Sequence, residues 1–298
     1  MRPIESHIVP PGTARERLSD YAHRVFQSVP SRKGMKKAIK AGAIFVDGRP
    51  GHTGHWVLPG QRIELMPPAQ APPKALALPL EVLYEDTHLA LINKPAGLPT
   101  SGNRYRTVVN ALQYNLSPSE ATDALPWPRP VHRLDALTSG LLLIAKSHSA
   151  AMNLGQQFEE KGVRKTYQAV AVGKTAGKGI IKEALDGQEA MTEFHLLRQV
   201  PSLKVEWLSL LELHPLTGRT HQLRRHLAGI GHPVLGDALY TGTGLVLTGK
   251  GLFLSAVALE FTHPFSGQTL NYAIQPPKKF KSFLDRTERR WKQFKGDR

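Results

Sequence analysis

The sequence of 298 residues has no cysteine, no long apolar run and comparatively few acidic residues. Without cysteine the chain can form no disulfide, no thiolate nucleophile and no cysteine-ligated zinc site. No apolar run approaches the ~18 residues that a membrane-spanning helix requires, and the N-terminus lacks the apolar core of a secretory signal. We therefore expect a cytoplasmic protein with no membrane partner.

Histidine is left as a metal ligand, because the chain has 13 of them. No HExxH motif occurs, and His221 and His226, five residues apart, would point to different sides of a helix. We predict no metal site.

Basic residues exceed acidic residues, with 39 Lys and Arg against 24 Asp and Glu and a formal net charge of +15. Such a charge favours a polyanionic partner such as nucleic acid. Composition alone does not separate RNA from DNA or from an anionic membrane, of which the membrane is the weaker option.

Residues 14–66 have the pattern of a small module. Ser31 is a typical helix N-cap, Met35 and Ile39 have helical spacing, Gly42 is a typical stop, and Asp47-Gly48 predicts a hairpin turn. No acidic residue occurs between Arg24 and Lys40, so the helix has a face of one charge sign, which attracts phosphates. A solvated charged face is the alternative. The module resembles an S4-type RNA-binding domain, and the residues that match are Ser31, Arg32, Ile39, Gly42, Val46, Asp47 and Gly48.

The composition then changes. Residues 67–80 are rich in proline and alanine and predict an extended linker. Residues 81–277 alternate short apolar runs with turn signals, which predicts an α+β domain with a mixed or antiparallel sheet, and residues 278–298 form a basic tail. The tail could extend an RNA-binding surface or form a terminal helix that packs Phe280, Leu284 and Trp291 on the body.

The stretch HRLDALTSGLLLIAK begins at His132. It places His132, Arg133 and Asp135 before an apolar run that predicts a buried strand, with a turn signal at residues 138–140. An arbitrary loop of this kind most often carries a surface salt bridge. A second polar loop, HPLTGRTHQLRRHLAGIGHPVLGD from His214, predicts a strand end, a turn at Gly218 and a short helix, with Arg219 at its start. A guanidinium there could hold a carboxylate.

The stretch GLVLTGK from Gly244 matches the start of a phosphate-binding P-loop, but Gly251 follows where Ser or Thr should bind magnesium. The next residues predict a strand instead of a helix. We therefore expect no nucleotide triphosphate to bind.

Four motifs in order, LINKPAGLPT, HRLDALTSGLLLIAK, KTYQAV and TGRTHQLRRHLAGIGHPVLGD, resemble the RluA family of RNA pseudouridine synthases. The resemblance extends from about Tyr84 to Pro276, and Ser255 departs from it where the family usually has histidine. It implies a catalytic domain of the pseudouridine synthase type over residues 81–277, behind an S4-like α/β RNA-binding domain over residues 1–66. It also implies an isomerase without a cofactor that detaches a uracil base in RNA, turns it and rejoins it through carbon 5.

The resemblance assigns roles to several residues. Asp135 matches the essential aspartate, Arg219 the arginine that pairs with it, and Tyr167 the tyrosine that packs against the target base. Arg133 resembles the arginine that fills the gap left by the extruded nucleotide. The remaining expected RNA contacts are His132, Thr138, Ser139, Arg32, Lys33, Lys36, Lys37 and Lys40.

The expected substrate is structured RNA, with large-subunit ribosomal RNA favoured over transfer RNA, and we expect a monomer. Two other functions stay open at this point. A catalytically silent RNA-binding or ribosome-assembly factor would be indicated by loss of Asp135, Tyr167 or Arg219, all of which are present. A hydrolytic N-glycosidase would release free uracil, but it would normally need a second carboxylate, and none lies close in the motif.

Overall fold

The computed structural model of the chain describes residues 3–66, 73–241 and 249–295. The chain divides into two units, Met1–Pro72 and Pro73–Arg298. This division lies inside the predicted linker 67–80. The end of that segment is part of the larger unit, because the backbone of Leu76 and Leu80 hydrogen-bonds to Asn110 and Asn115.

The smaller unit has a four-stranded antiparallel sheet of order β1-β6-β3-β4 and a two-stranded pair β2-β5. In chain order its elements are β1 Glu5–Ile8, β2 Glu16–Arg17, α1 Leu18–Val25, α2 Arg32–Lys40, β3 Ile44–Val46, β4 Arg49–Pro50, β5 Trp56–Val57 and β6 Arg62–Leu65. Helix α2 begins as predicted, since Ser31 Oγ accepts from the Gly34 N–H at 3.1 Å. Its residues Met35 and Ile39 are buried in the core of this unit. The predicted hairpin turn is confirmed by positive φ angles at Asp47 and Gly48.

The larger unit contains one sheet of order β12-β13-β14-β11-β15-β10-β8-β7, to which β9 and β16 add by pairing with β10 and β15. Its elements are β7 Glu81–Glu85, β8 Leu89–Lys94, α3 Val108–Asn115, β9 Ala124–Pro130, β10 Ser139–Ser147, α4 His148–Glu159, β11 Arg164–Val172, β12 Lys178–Ile181, β13 Thr192–Ser202, β14 Glu206–Pro215, α5 Gln222–Gly229, β15 Leu254–Thr262, β16 Thr269–Ala273 and α6 Lys279–Lys295. Strands β10 and β15 run parallel, and the other paired strands described in this sheet run antiparallel. The predicted α+β class with a mixed sheet is confirmed.

Helices cover both faces of this sheet, because alternate residues of its strands pack on different helices. Leu142 and Ile144 of β10 pack on α3, whereas Leu141 and Leu143 pack on α4. By the same alternation, α5 shares the face of α3, and α6 shares the face of α4. Every residue of β10 is therefore buried, as its continuous apolar run predicts.

The basic tail begins with helix α6. Phe280 and Leu284 are buried against Phe253, as the terminal-helix alternative predicts, whereas Trp291 is only partly buried and does not belong to this core cluster. Two acidic side chains of α6, Asp285 and Glu288, each accept from the Arg198 guanidinium at 2.6 Å. Among the described residues, no helix is long and apolar enough to cross a membrane.

Candidate active site

Asp135 lies in the loop that leads into β10, and a second loop holds this loop in place. The fully buried Lys94 ammonium donates to the carbonyls of Pro95, Leu98 and Ala136 at 3.1, 2.8 and 3.2 Å. The Thr100 hydroxyl donates to Leu134 O at 2.9 Å. Burial lowers the pKa of Lys94 to about 8, against the opposing effect of the Asp135 charge. The LINKPAGLPT motif therefore fixes the loop that carries the aspartate.

Gly140 sets the path of the chain after this loop. It has φ +113°, and a Cβ there would lie 2.0 Å from the Ala256 carbonyl oxygen of β15. Only glycine permits this approach, which brings the start of β10 against β15. Tyr167 of β11 pairs with the same Ala256, so Tyr167 lies two strands from the start of β10.

Arg224 on α5 holds Asp135. Its Nη1 is 3.4 Å from Asp135 Oδ2, while its Nε and Nη2 donate to the two oxygens of buried Asp237 at 2.6 and 2.8 Å. Burial by itself would lower the pKa of Arg224 and raise that of Asp237, but their pairing outweighs burial, so the first pKa is raised and the second lowered. One guanidinium thus joins a buried carboxylate to the carboxylate in the groove.

The predicted pairing of Arg219 with Asp135 is wrong. Arg219 is exposed, and its Nε donates to Glu189 O at 3.0 Å. It precedes α5 in the loop at the rim, whereas Arg224 lies between Leu223 and Leu227, which face the core. That position could have identified Arg224 from the sequence, since an arginine on an apolar helix face requires a buried acid.

Asp135, Tyr167, Arg219 and Arg224 nevertheless line one groove of about 460 Å³. Burial, and then the charge of Asp135, raises the pKa of Tyr167. The phenol is therefore neutral at physiological pH.

The other expected contacts in this loop differ in placement. His132, Arg133 and Thr138 line the groove, and Arg133 is exposed to solvent. Ser139 is the exception, because its side chain is buried and its hydroxyl donates to Ser255 Oγ at 3.1 Å. The prediction that Ser139 contacts RNA is corrected: its side chain links β10 to β15. Ser255, which departs from the family pattern, is its partner.

His221 also lies near Asp135, a position that its sequence motif did not predict. The backbone of His221 is left-handed at φ 54°, and its Nε2 lies 3.7 Å from Asp135 Oδ1. Its Nδ1 is 2.9 Å from the Tyr240 hydroxyl. The His221 imidazole therefore lies between this hydroxyl and the carboxylate.

The five predicted RNA contacts of the smaller unit lie on α2. Lys33, Lys36, Lys37 and Lys40 are exposed. Arg32 is partly neutralised, because its guanidinium forms an ion pair with Asp20 of α1. The face of one sign is thus formed by four lysines.

Two further predictions were the absence of a metal site and the absence of a nucleotide triphosphate site. In the described ranges, no three His, Asp or Glu side chains cluster as metal ligands would. Residues 244–248 of the GLVLTGK stretch lie outside the described residues.

Asp135, held by Arg224, and Tyr167, with its neutral phenol, thus lie beside strands from the middle of the mixed sheet. Comparison with known proteins identifies the class. Residues 88–229 match the family model described as RNA pseudouridylate synthase. The solved human RNA Pseudouridylate Synthase Domain Containing 1 has the same fold, with a TM-score of 0.57 and 25% identity over 72% of this chain and 89% of that one.

Curated relatives extend the match. An uncharacterized RNA pseudouridine synthase of Aquifex aeolicus is 34% identical over 90% of this chain and 92% of its own. The ribosomal large subunit pseudouridine synthase D of Xylella fastidiosa is 33% identical over 86% and 84%. The dual-specificity RNA pseudouridine synthase RluA of Haemophilus influenzae is 32% identical over 65% and 91%. The chain belongs to the RluA family of RNA pseudouridine synthases, which are isomerases that convert uridine in RNA to pseudouridine.

Proposed function

We propose that this protein converts uridine to pseudouridine in large-subunit ribosomal RNA, with Asp135 as the reacting side chain. The observation that carries the proposal is the contact of Arg224 with Asp135 in a groove that Tyr167 also lines. The Xylella relative, whose name specifies the ribosomal large subunit, supports the choice of RNA.

The groove suits an isomerisation in which the base stays bound. The Asp135 carboxylate acts as a nucleophile or stabilises the electron-deficient sugar while the bond from the sugar to N1 breaks. The base turns, its carbon 5 bonds to the sugar, the carbon 5 proton leaves, and N1 gains a proton. Nothing is oxidised or reduced. Tyr167 packs its neutral phenol against the base, and Arg224 keeps the carboxylate in place.

Arg133 has a separate role in this proposal. The target nucleotide must leave the RNA stack to reach Asp135, and an unstacked gap costs a few kcal/mol. Arg133 is exposed and only two residues from Asp135. Its planar guanidinium fills the gap.

The test uses RNA from cells that lack this gene. The RNA is treated with wild-type protein or Asp135→Asn, and pseudouridine is mapped by carbodiimide-dependent stops of reverse transcription. We expect a stop in large-subunit ribosomal RNA with the wild type and none with Asp135→Asn. Asp186→Asn is the matched control, because Asp186 is exposed and pairs with Arg225.

Each outcome has one meaning. A stop confined to transfer RNA would overturn the proposed substrate. The absence of any new stop with the wild type would overturn the proposed function. Full activity of Asp135→Asn would remove Asp135 from the chemistry.

A further inference from the structure

The lining of the groove also includes His132, Phe158, Glu159, Lys161 and Lys165. The His132 ring stacks on Phe158 with centroids 4.6 Å apart, and its Nε2 accepts from the Leu143 N–H at 3.0 Å. Burial, and then the charge of Lys165, lowers the pKa of His132 to about 3. The stacked rings of His132 and Phe158 therefore form a fixed, uncharged wall of the groove.

Lys165 provides a cation beside this wall. It lies on β11, two residues before Tyr167, and is partly buried. Burial lowers the pKa of its ammonium, and no carboxylate of the described chain offsets that effect. Glu159, an acid in the same lining, is exposed and makes no ion pair with it in the described structure.

Other lysines with buried ammonium groups have partners. Lys94 donates to three carbonyls. Lys146 donates to the Glu85 carboxylate at 2.6 Å and to Asp86 O at 2.7 Å. Lys279 donates to the carbonyls of Lys250 and Leu252. A half-buried ammonium without such a partner loses hydration without compensation. An anion that enters the groove would supply the missing partner.

We propose that Lys165 binds a backbone phosphate of the RNA strand beside the flipped uridine. This inference rests on the proposed function, because the phosphate belongs to the RNA substrate, which carries one phosphate with every nucleotide. An ammonium suits the task as a point charge that needs no fixed hydrogen-bond geometry. Arg133 and Lys161, both exposed, add positive charge along the same groove. Lys165 thus acts on binding and position, and Asp135 on the chemistry.

The test measures binding and reaction separately. Dissociation constants for an unmodified large-subunit ribosomal RNA transcript are measured over a range of salt concentrations, and single-turnover rates are measured at saturating RNA. We expect Lys165→Met to raise Kd about 10-fold and to reduce the slope of log K against log salt by about 1. The rate at saturating RNA should change less than about 3-fold, and Lys165→Arg should restore binding.

Lys178→Met is the matched control, because Lys178 is exposed on β12 and does not line the groove. It makes the same change of charge, so an equal loss of affinity in this variant would overturn the proposal. If Lys165→Met fails to fold, Lys165→Gln replaces it in every measurement.

The two proposals can fail separately. If the wild type forms pseudouridine and Lys165→Met keeps the wild-type Kd and salt slope, the phosphate site is wrong and the proposed function stands. If the wild type forms no pseudouridine in any RNA, the proposed function fails and the phosphate site fails with it.

Discussion

At the scale of single residues, Arg224 has a tightly constrained position in the site. Its three nitrogens contact two carboxylates, and one of these, Asp237, is inaccessible to solvent. A lysine ammonium cannot reproduce the two-pronged contact with Asp237 and also reach Asp135. We expect Arg224→Lys to lower the free energy of unfolding by about 3 kcal/mol, the order found when a buried ion pair loses a partner. Urea unfolding measures this loss, and the single-turnover rate should fall with it.

Arg219→Gln is the comparison variant for Arg224→Lys. Arg219 is exposed and hydrogen-bonds a single carbonyl, so its removal should change the free energy of unfolding by less than about 0.5 kcal/mol. A large loss of stability in Arg219→Gln with little loss in Arg224→Lys would contradict the observed pairing.

The motifs singled out residues that the structure brings together. Asp135, Arg133 and Tyr167 line one groove, and the roles that the resemblance implies for them stay predictions. Identifying the partner of Asp135 required the helix pattern as well as the motif, because Arg224 lies on the buried face of α5 with Leu223 and Leu227, whereas Arg219 precedes the helix. Burial of Ser139 likewise depends on its partner Ser255, which is 116 positions away in the chain.

At the scale of elements, the parallel contact between β10 and β15 depends on Gly140. A side chain at this φ of +113° would be strained and would also clash with Ala256 backbone atoms, including the carbonyl oxygen 2.0 Å away. We expect Gly140→Ala to lower the free energy of unfolding by at least about 3 kcal/mol, because strain and overpacking add. Thermal and urea unfolding measure the change.

Gly155→Ala is a control for the same chemical change. Gly155 lies within α4, and a Cβ there meets no atom within 4 Å. Alanine is the better helix former, so this variant should have a free energy of unfolding higher by up to about 1 kcal/mol. Equal stabilities of the two variants would show that β10 and β15 can separate without loss.

Short-range signals predicted elements better than they predicted pairings. The Ser31 cap and the Asp47-Gly48 turn act within a few residues, and α2 and its hairpin have the expected bounds. The pairing of β10 with β15 joins residues more than 100 positions apart, and no local pattern specifies it. Strand β1, with its alternating exposure, gave no recognisable signal either.

At the scale of the whole molecule, the net charge of +15 and the four exposed lysines of α2 predict how affinity depends on salt. We expect replacement of Lys33, Lys36, Lys37 and Lys40 by glutamine to weaken RNA binding and to reduce the salt slope by about 1 for each phosphate that the variant no longer neutralises. The single-turnover rate at saturating RNA should stay unchanged, since these lysines lie in the smaller unit. Filter binding from low to high salt measures the slope.

An unchanged affinity and salt slope in this variant would show that the lysine face of α2 is only a solvated charged surface and binds no RNA. A reduced rate at saturating RNA would show that α2 positions the target as well as attracting it.

The contact of Arg224 with both Asp135 and Asp237 also has a consequence for the order in which the protein is made. Asp135 leaves the ribosome 89 residues before Arg224, and Asp237 follows 13 residues later. Synthesis adds ~5–20 residues per second, so the aspartate waits several seconds for the side chains that hold it. A growing chain therefore lacks a formed site until most of its length has been translated.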